Sequence, residues 1–297
     1  MKKIAVLIPC YNEALTIESV VKRYKEALPS ADIYVYDNNS KDGSDKLAEK
    51  AGAIVRYEKN QGKGFVVRSM FKDIDADCYF MVDADDTYMA DNAQQMCDMV
   101  LSGEFDMVIG DRLNSTYMTE EKRKSHTFGN KLVRFLINKL YKNKITDIMT
   151  GQRAFSKRFV KSFPCNSNGF EIETEMTIFA CDNGMTVKEV PVVYKDRPEG
   201  SFSKLNTYRD GFKVLKTILK MFVKEHSMKF FGWMSIPFAL LGVGFAVPVI
   251  CQLAKAKAVS CAFKWLAISG FAVASLLNIT GAVVSKINSK KKLKNGK

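Results

Sequence analysis

Residues 79–86 read Tyr79-Phe80-Met81-Val82-Asp83-Ala84-Asp85-Asp86. Four apolar residues in succession, without alternation, suit a strand covered on both faces, and three acids then end the run. The pattern repeats along the chain. Ile4–Ile8, Ile33–Tyr36, Ala53–Tyr57 and Met107–Ile109 are short apolar runs of the same kind. Between them, Ala14–Leu28, Ser44–Ala51, Phe65–Ile74 and Asn92–Leu101 read as helices. Strands alternating with helices predict an α/β fold, a Rossmann-like and mostly parallel sheet flanked by helices. Ligands bind such sheets beyond the carboxyl ends of the strands. Those ends carry Tyr11-Asn12-Glu13, Asp37-Asn38-Asn39, Asp83-Ala84-Asp85-Asp86 and Gly110-Asp111-Arg112, so one edge collects the polar groups.

Two carboxylates one residue apart on a turn can grip a hard divalent cation whose other ligands are phosphate oxygens and water. Such a cation neutralises charge on a departing diphosphate. An Asp-x-Asp triplet also arises in turns and helix caps, so context decides. Asp37 likewise ends a strand, and Gly62-Lys63-Gly64 offers flexible backbone beside an ammonium suited to phosphate. The chain has neither GxGxxG nor GxxxxGK[ST], against dinucleotide and P-loop sites.

The last quarter has another composition. From Lys213 to Lys297 there are 14 of the 45 basic residues and one of the 32 acids, Glu225, which leaves 31 of each sign upstream. The whole net charge of +13 therefore belongs to that region. Its lysines flank apolar segments, which points to an anionic membrane surface rather than nucleic acid. Lys131–Lys142 reads as an amphipathic helix with a basic face. Thr207–Lys229 reads as a second, with Lys213, Lys216, Lys220 and Lys224 on one face and Phe212, Leu215, Leu219 and Phe222 as an apolar stripe. Phe230–Ala254 carries no charge and is long enough to span a bilayer, and Ala258–Ser285 holds a second span interrupted only by Lys264. Lysines before and after this hairpin place both termini in the cytosol by the positive-inside rule. Gly242, Gly244, Gly270 and Gly281 suit close packing of helices in lipid. Seven cysteines with no CxxC pair argue against a disulfide framework or a zinc site. The expected division is a catalytic domain over 1–206, a juxtamembrane helix over 207–229, two transmembrane helices over 230–286 and a basic cytosolic tail over 287–297.

Ile8-Pro9-Cys10-Tyr11-Asn12-Glu13, Asp37 to Asp42, Asn60-Gln61-Gly62-Lys63-Gly64, Asp83-Ala84-Asp85 and Gly110-Asp111-Arg112 come in an order and spacing that resemble family-two glycosyltransferases of the GT-A fold. Thr146 to Phe155, with the C-terminal hairpin, resembles the dolichol-phosphate mannose synthase and polyprenyl-phosphate glycosyltransferase branch. The resemblance implies an integral membrane enzyme of cell-envelope glycosylation, moving a hexose from a nucleotide diphosphate-sugar to polyprenyl (undecaprenyl or dolichyl) phosphate with Mg²⁺ or Mn²⁺. It implies that Pro9, Tyr11, Asn12, Glu13, Asp37, Asn39 and Lys63 hold the nucleotide, Asp37 accepting from the base. Asp83, Ala84 and Asp85 would line the diphosphate and its metal, Asp85 being the more direct ligand. Arg112 would face phosphate, and Asp147 would stand at the donor–acceptor junction. Two departures matter. Thr87 stands where close relatives carry a Gln able to add a ligand, and the QxxRW signature of processive synthases is missing. Phe170-Glu171-Ile172-Glu173-Thr174-Glu175 reads equally as the start of a helix or as a reach toward a sugar hydroxyl.

A phosphomonoester with a second pKa near ~6 is largely dianionic at neutral pH, so such an acceptor needs positioning by positive charge more than a base. Candidates are Arg112, Arg123, Arg153, and Arg197 and Lys204 in the loop that precedes the basic helix. A single in-line displacement would invert the anomeric centre. Two readings compete with this one: a transferase of the same fold acting on another lipid or a surface saccharide, and a non-catalytic nucleotide-sugar-binding membrane module. The sugar, the nucleobase and the oligomeric state, a homo-oligomer included, stay open.

Overall fold

The computed structural model describes residues 2–113, 124–255, 258 and 260–295. The chain divides into two compact units, Met1–Ile218 and Leu219–Lys297. The first unit is built on one sheet of seven strands: β1 (Ile4–Cys10), β2 (Asp32–Asp37), β3 (Ile54–Tyr57), β4 (Cys78–Met81), β5 (Met107–Asp111), β6 (Arg153–Ser156) and β7 (Val187–Pro191). Their order is β3-β2-β1-β4-β6-β5-β7, parallel except that β6 runs against both β4 and β5. Helices α1 (Ile17–Ala27), α2 (Ser44–Lys50), α3 (Lys63–Asp73) and α4 (Ala93–Leu101) alternate with the first five strands, as the periodicity predicts. Then follow α5 (Lys124–Tyr141), α6 (Lys157–Ser162), α7 (Ile172–Asp182), α8 (Thr207–Glu225), α9 (Ser227–Ala254) and α10 (Cys261–Asn295).

The chain winds outward from β1 to β3, then returns to the other side of β1 for β4. The order thus reverses between β1 and β4, the place where a crevice opens beyond the strand ends. Pairing of β1 with β4 ends at Leu7 and Met81, and Val82 N–H donates to the Leu7 carbonyl at 3.1 Å. Pro9 shares Leu7's parity, so its ring nitrogen, which has no hydrogen to give, faces the side where pairing has stopped. Alternate residues of β4 feed the two faces of the sheet. Phe80 meets Tyr24 of α1 at 5.5 Å between centroids, whereas Tyr79 meets Phe71, which also touches Phe155 and Phe163. Each such fully buried ring contributes about 1.5–3 kcal/mol of apolar burial.

In the second unit α9 and α10 are apolar helices long enough to cross a membrane, over Ser227–Ala254 and Cys261–Lys290. Most of their large apolar side chains are exposed. They approach closely at glycines. A Cβ on Gly270 would lie 2.7 Å from the Gly242 nitrogen, and one on Gly281 3.0 Å from the Phe231 Cβ. Asn278 donates to Ser235 Oγ at 3.1 Å, a polar contact of the kind that joins helices in lipid. Gly244 is a correction, because open space surrounds it. So is the helix expected over 207–229. His226 (φ −123°, ψ 40°) leaves helical geometry and Ser227–Lys229 belong to α9, a one-residue break that periodicity does not register. The buried row of α8 is Val214, Ile218 and Phe222, while Phe212, Leu215 and Leu219 of the expected stripe are exposed.

Candidate active site

Beyond the carboxyl ends of β1 and β4 lies a cavity of about 1130 Å³. Pro9 near the end of β1 and Tyr11 and Glu13 just after it line the cavity, and Asp83, Ala84 and Asp85 follow β4 into it. The turn after β4 is fixed from both sides. Thr16 Oγ1 donates to the Ala84 carbonyl at 2.7 Å, and Thr87 donates to Asp85 Oδ1 through Oγ1 at 2.6 Å and through its amide at 3.2 Å. Thr87, at the position where a further metal ligand was in question, thus orients Asp85. The neighbouring Asp86 turns away to pair with Arg23 and, at 3.0 Å, with Lys195.

Each carboxylate of the triplet has a cation. Lys63 Nζ lies 2.5 Å from Asp83 and 2.6 Å from Glu173, buried between them. Burial works against the ammonium, but the two acids hold its pKa well above the ordinary value. Asp85 pairs with Arg197. Burial and then the nearby Asp83 raise the Asp85 pKa, outweighing the pull of Arg197. Two mutually repelling carboxylates with hard oxygen donors form a set that fits a divalent cation. Among the described residues no third acid, His or Cys joins them in one cluster, so further ligands would come from a bound diphosphate. Gly151 makes room for Asp83, since a Cβ there would run into its carboxylate.

The Gly62-Lys63-Gly64 segment has a different role from the flexible phosphate loop expected of it. Gly64 N–H donates to the Asn168 carbonyl at 3.0 Å, and a Cβ on Gly62 or Gly64 would strike the backbone of 167–168. The glycines permit two segments to touch, and Lys63 opens α3.

Glu13 anchors the loop that precedes α8. Its Oε1 accepts from Lys204 at 2.6 Å and from Arg197 at 3.3 Å, and Lys204 also donates to the Asn12 carbonyl at 2.8 Å. Arg197 and Lys204, expected on the acceptor phosphate, line the cavity but are engaged with Glu13 and Asp85. Arg112 also lines the cavity. Asp147 takes it in a two-pronged pair at 2.7 and 2.9 Å, the Met149 carbonyl accepts from it at 2.7 Å, and its guanidinium lies 5.3 Å over the Tyr194 ring. Burial pushes the Asp147 carboxyl up, but Arg112 wins and holds it below the usual carboxylate range. Asp147 itself does not line the cavity, so any action on a ligand passes through Arg112.

Several expected residues stand elsewhere. Arg153 is fully buried, donating to the carbonyls of Thr150 and Ile148 and to Thr177 Oγ1, so it holds the turn before β6 and cannot reach a phosphate. Arg123 lies outside the described residues. Asn12 Oδ1 accepts from Lys41 N–H, and Asn39 donates to the Lys59 carbonyl; both have positive φ and shape turns outside the cavity wall. Asp37 is buried with Oδ2 accepting from Ser40 N–H at 3.0 Å and Oδ1 without a partner. It stands next to the cavity-lining Asn38 without lining the cavity itself.

The sequence reading missed Lys131 and Arg134 of α5, and Arg209 and Lys213 of α8, all of which line the cavity. Their signal was the basic face of two amphipathic helices. Of the three alternating acids, Glu175 accepts from Asn166 and Ser167 and is structural, whereas Glu171 and Glu173 line the cavity.

Comparisons with known proteins agree with this architecture. The family model described as glycosyl transferase family 2 matches residues 5–163. Glycosyltransferase AglJ of Haloferax volcanii is 34% identical over 250 residues, 83% of this chain and 80% of its own. The dolichyl-phosphate hexose transferase of the same organism is 27% identical over 222 residues, 75% of this chain and 95% of its own. Glucosyl-3-phosphoglycerate synthase from Mycobacterium tuberculosis, solved in complex with uridine-diphosphate, shares the fold with a TM-score of 0.61 at 20% identity, over 74% of this chain and 80% of that one.

Proposed function

This chain belongs to glycosyl transferase family 2, and on that premise we propose that it transfers a hexose from a nucleotide diphosphate-sugar to polyprenyl phosphate at the cytosolic face of a membrane, with inversion. One observation carries the reading. A single cavity is lined both by the paired acids Asp83 and Asp85 and by cations of the segment that leads into the apolar hairpin, Arg197, Lys204, Arg209 and Lys213. An anionic acceptor that arrives from a membrane meets such a set of charges. The likeness to a dolichyl-phosphate hexose transferase supports the same acceptor class.

Asp83 and Asp85 would hold Mg²⁺ or Mn²⁺, which when bound offsets charge on the departing diphosphate. Arg197, which pairs with Asp85, would be available to the acceptor phosphate where a cation took its place on that carboxylate. Asp147 and the Met149 carbonyl fix the Arg112 guanidinium at the cavity wall, so that its positive charge would face a phosphate without reorganising. The acceptor needs no strong base, being already deprotonated. Lys63, held by Asp83 and Glu173, keeps the floor of the donor side in place.

The test is direct. Full-length protein in detergent is given a panel of nucleotide-sugars with polyprenyl phosphate, and the lipid product is identified by mass. A lipid one hexose heavier, with the sugar released by mild acid, is the expected product. An acid-resistant product would transfer the reading to another lipid or saccharide acceptor, and no transfer from any donor would overturn it.

A further inference from the structure

We infer that Glu171 binds the sugar of the donor, its Oε2 accepting a hydrogen bond from a hexose hydroxyl. The inference rests on the donor class proposed above. Glu171 lines the cavity and is 8% exposed. Its Oε1 accepts from Asn168 N–H at 3.2 Å and Gly169 N–H at 3.1 Å, which fixes the carboxylate. Its Oε2 is buried with no partner. A Cβ on Gly169 would stand 2.8 Å from that oxygen, so the glycine is what lets the carboxylate lie this close to the backbone.

The neighbouring acids show what is unusual here. Glu175 spends both oxygens on the 166–167 backbone, and Glu173 takes Lys63. Of these three acids only Glu171 keeps a buried carboxylate oxygen without a partner. A carboxylate oxygen left unpaired out of water is costly, so a ligand that brings a donor gains there. A phosphate dianion brings no proton and would be repelled, whereas a sugar is a dense set of hydroxyl donors. The position agrees. Glu173, two residues on, is tied through Lys63 to Asp83, so this segment borders the diphosphate end of the donor site.

The test is calorimetric binding of UDP and UDP-glucose, and of GDP and GDP-mannose, to full-length protein in detergent with Mn²⁺, wild type against Glu171→Gln. The substitution keeps an oxygen for the two amides and replaces the free acceptor with a donor. It should weaken the nucleotide-sugar by about ten- to a hundredfold and leave the bare nucleotide unchanged. Equal losses for both, or no loss, would overturn the inference. Failure of the wild type to bind either pair would instead overturn the donor reading beneath it. Should the variant not fold, deoxyfluoro analogues of the bound sugar on wild type decide. Weakening at one hydroxyl position supports the inference, and indifference at every position overturns it.

Discussion

The cavity has two kinds of wall. On one, Pro9, Asp83 and Asp85 sit at or just past the ends of β1 and β4, where ladder hydrogen bonds fix the backbone and each acid has a short-range partner. On the other, Lys131, Arg134, Arg197, Lys204, Arg209 and Lys213 come from helices and a connecting loop, on long side chains with up to ~2 kcal/mol of rotamer entropy each. The first wall suits chemistry that demands fixed geometry; the second suits an anion that must enter and leave. The paired acids around the cavity differ as well. Asp85 and Glu173 have raised pKa values, chiefly through burial, whereas Asp147 is lowered by Arg112 despite burial.

Damage to the fixed wall should cost most. Asp85→Asn is expected to lower transfer by about a thousandfold while the thermal midpoint holds, because a single preorganised charge at the leaving group is removed. EDTA should stop the wild type, and Mn²⁺ or Mg²⁺ should restore it. Full activity in EDTA, with metal removal confirmed, would falsify the assignment of Asp83 and Asp85.

Asp147→Asn should act through stability first. It leaves the Arg112 guanidinium without its counter-charge, at a cost of about 3–5 kcal/mol for a buried pair. The pH dependence has a definite sign. The folded-state pKa of Asp147 lies below its unfolded value of 3.8, so its stabilisation is fully present above that value and is lost as pH falls through the folded one. The gap in denaturant midpoint between wild type and variant should therefore close on the acid side. A gap independent of pH would mean that Asp147 is held by shape and not by charge.

Gly151→Ala probes how finely Asp83 is set. The new methyl meets the Asp83 carboxylate, and a displacement of that size should lower kcat by about ten- to a hundredfold with little change in nucleotide-binding stoichiometry. Unchanged kcat would place Asp83 outside the reacting geometry.

The two walls also differ in how far the sequence reveals them. Strand-end residues follow short apolar runs, so Tyr11, Asp83 and Arg112 stand out by contrast with their neighbours. The first five strands and four helices are legible for the same reason. β6 is not, because it is four residues long and begins with a buried arginine, and β7 is not, because Val187-Lys188-Glu189-Val190-Pro191 is half exposed at the sheet edge. Arg153 reads as a surface cation because sequence cannot show that three oxygens surround it. Lys131, Arg134, Arg209 and Lys213 are visible only as helical charge, which points to a face without saying what lies opposite. Glu171 and Glu173 are told apart from Glu175 only by the loop 166–169 that closes over them.

The smallest effect is expected at Arg197, on the adaptable wall. Its guanidinium pairs with Asp85 and Glu13, and on the proposed reading both acids would turn to donor and cation. The loop around it can adjust, with Gly200 at φ 85° and Ser201 Oγ accepting from Arg197 at 3.3 Å. Arg197→Ala should therefore raise the apparent KM for polyprenyl phosphate by about tenfold, the scale of one charge-assisted contact among several. Nucleotide affinity should hold, and Mn²⁺ affinity in the presence of nucleotide should not fall, since a competing cation has been taken from Asp85. These effects should persist in neutral detergent. A defect confined to anionic bilayers would match a headgroup contact worth about 1 kcal/mol instead, and would shift the acceptor clamp to Arg112 and Arg134. A fall in Mn²⁺ affinity would show that Arg197 orders Asp85 for the cation rather than standing in its place.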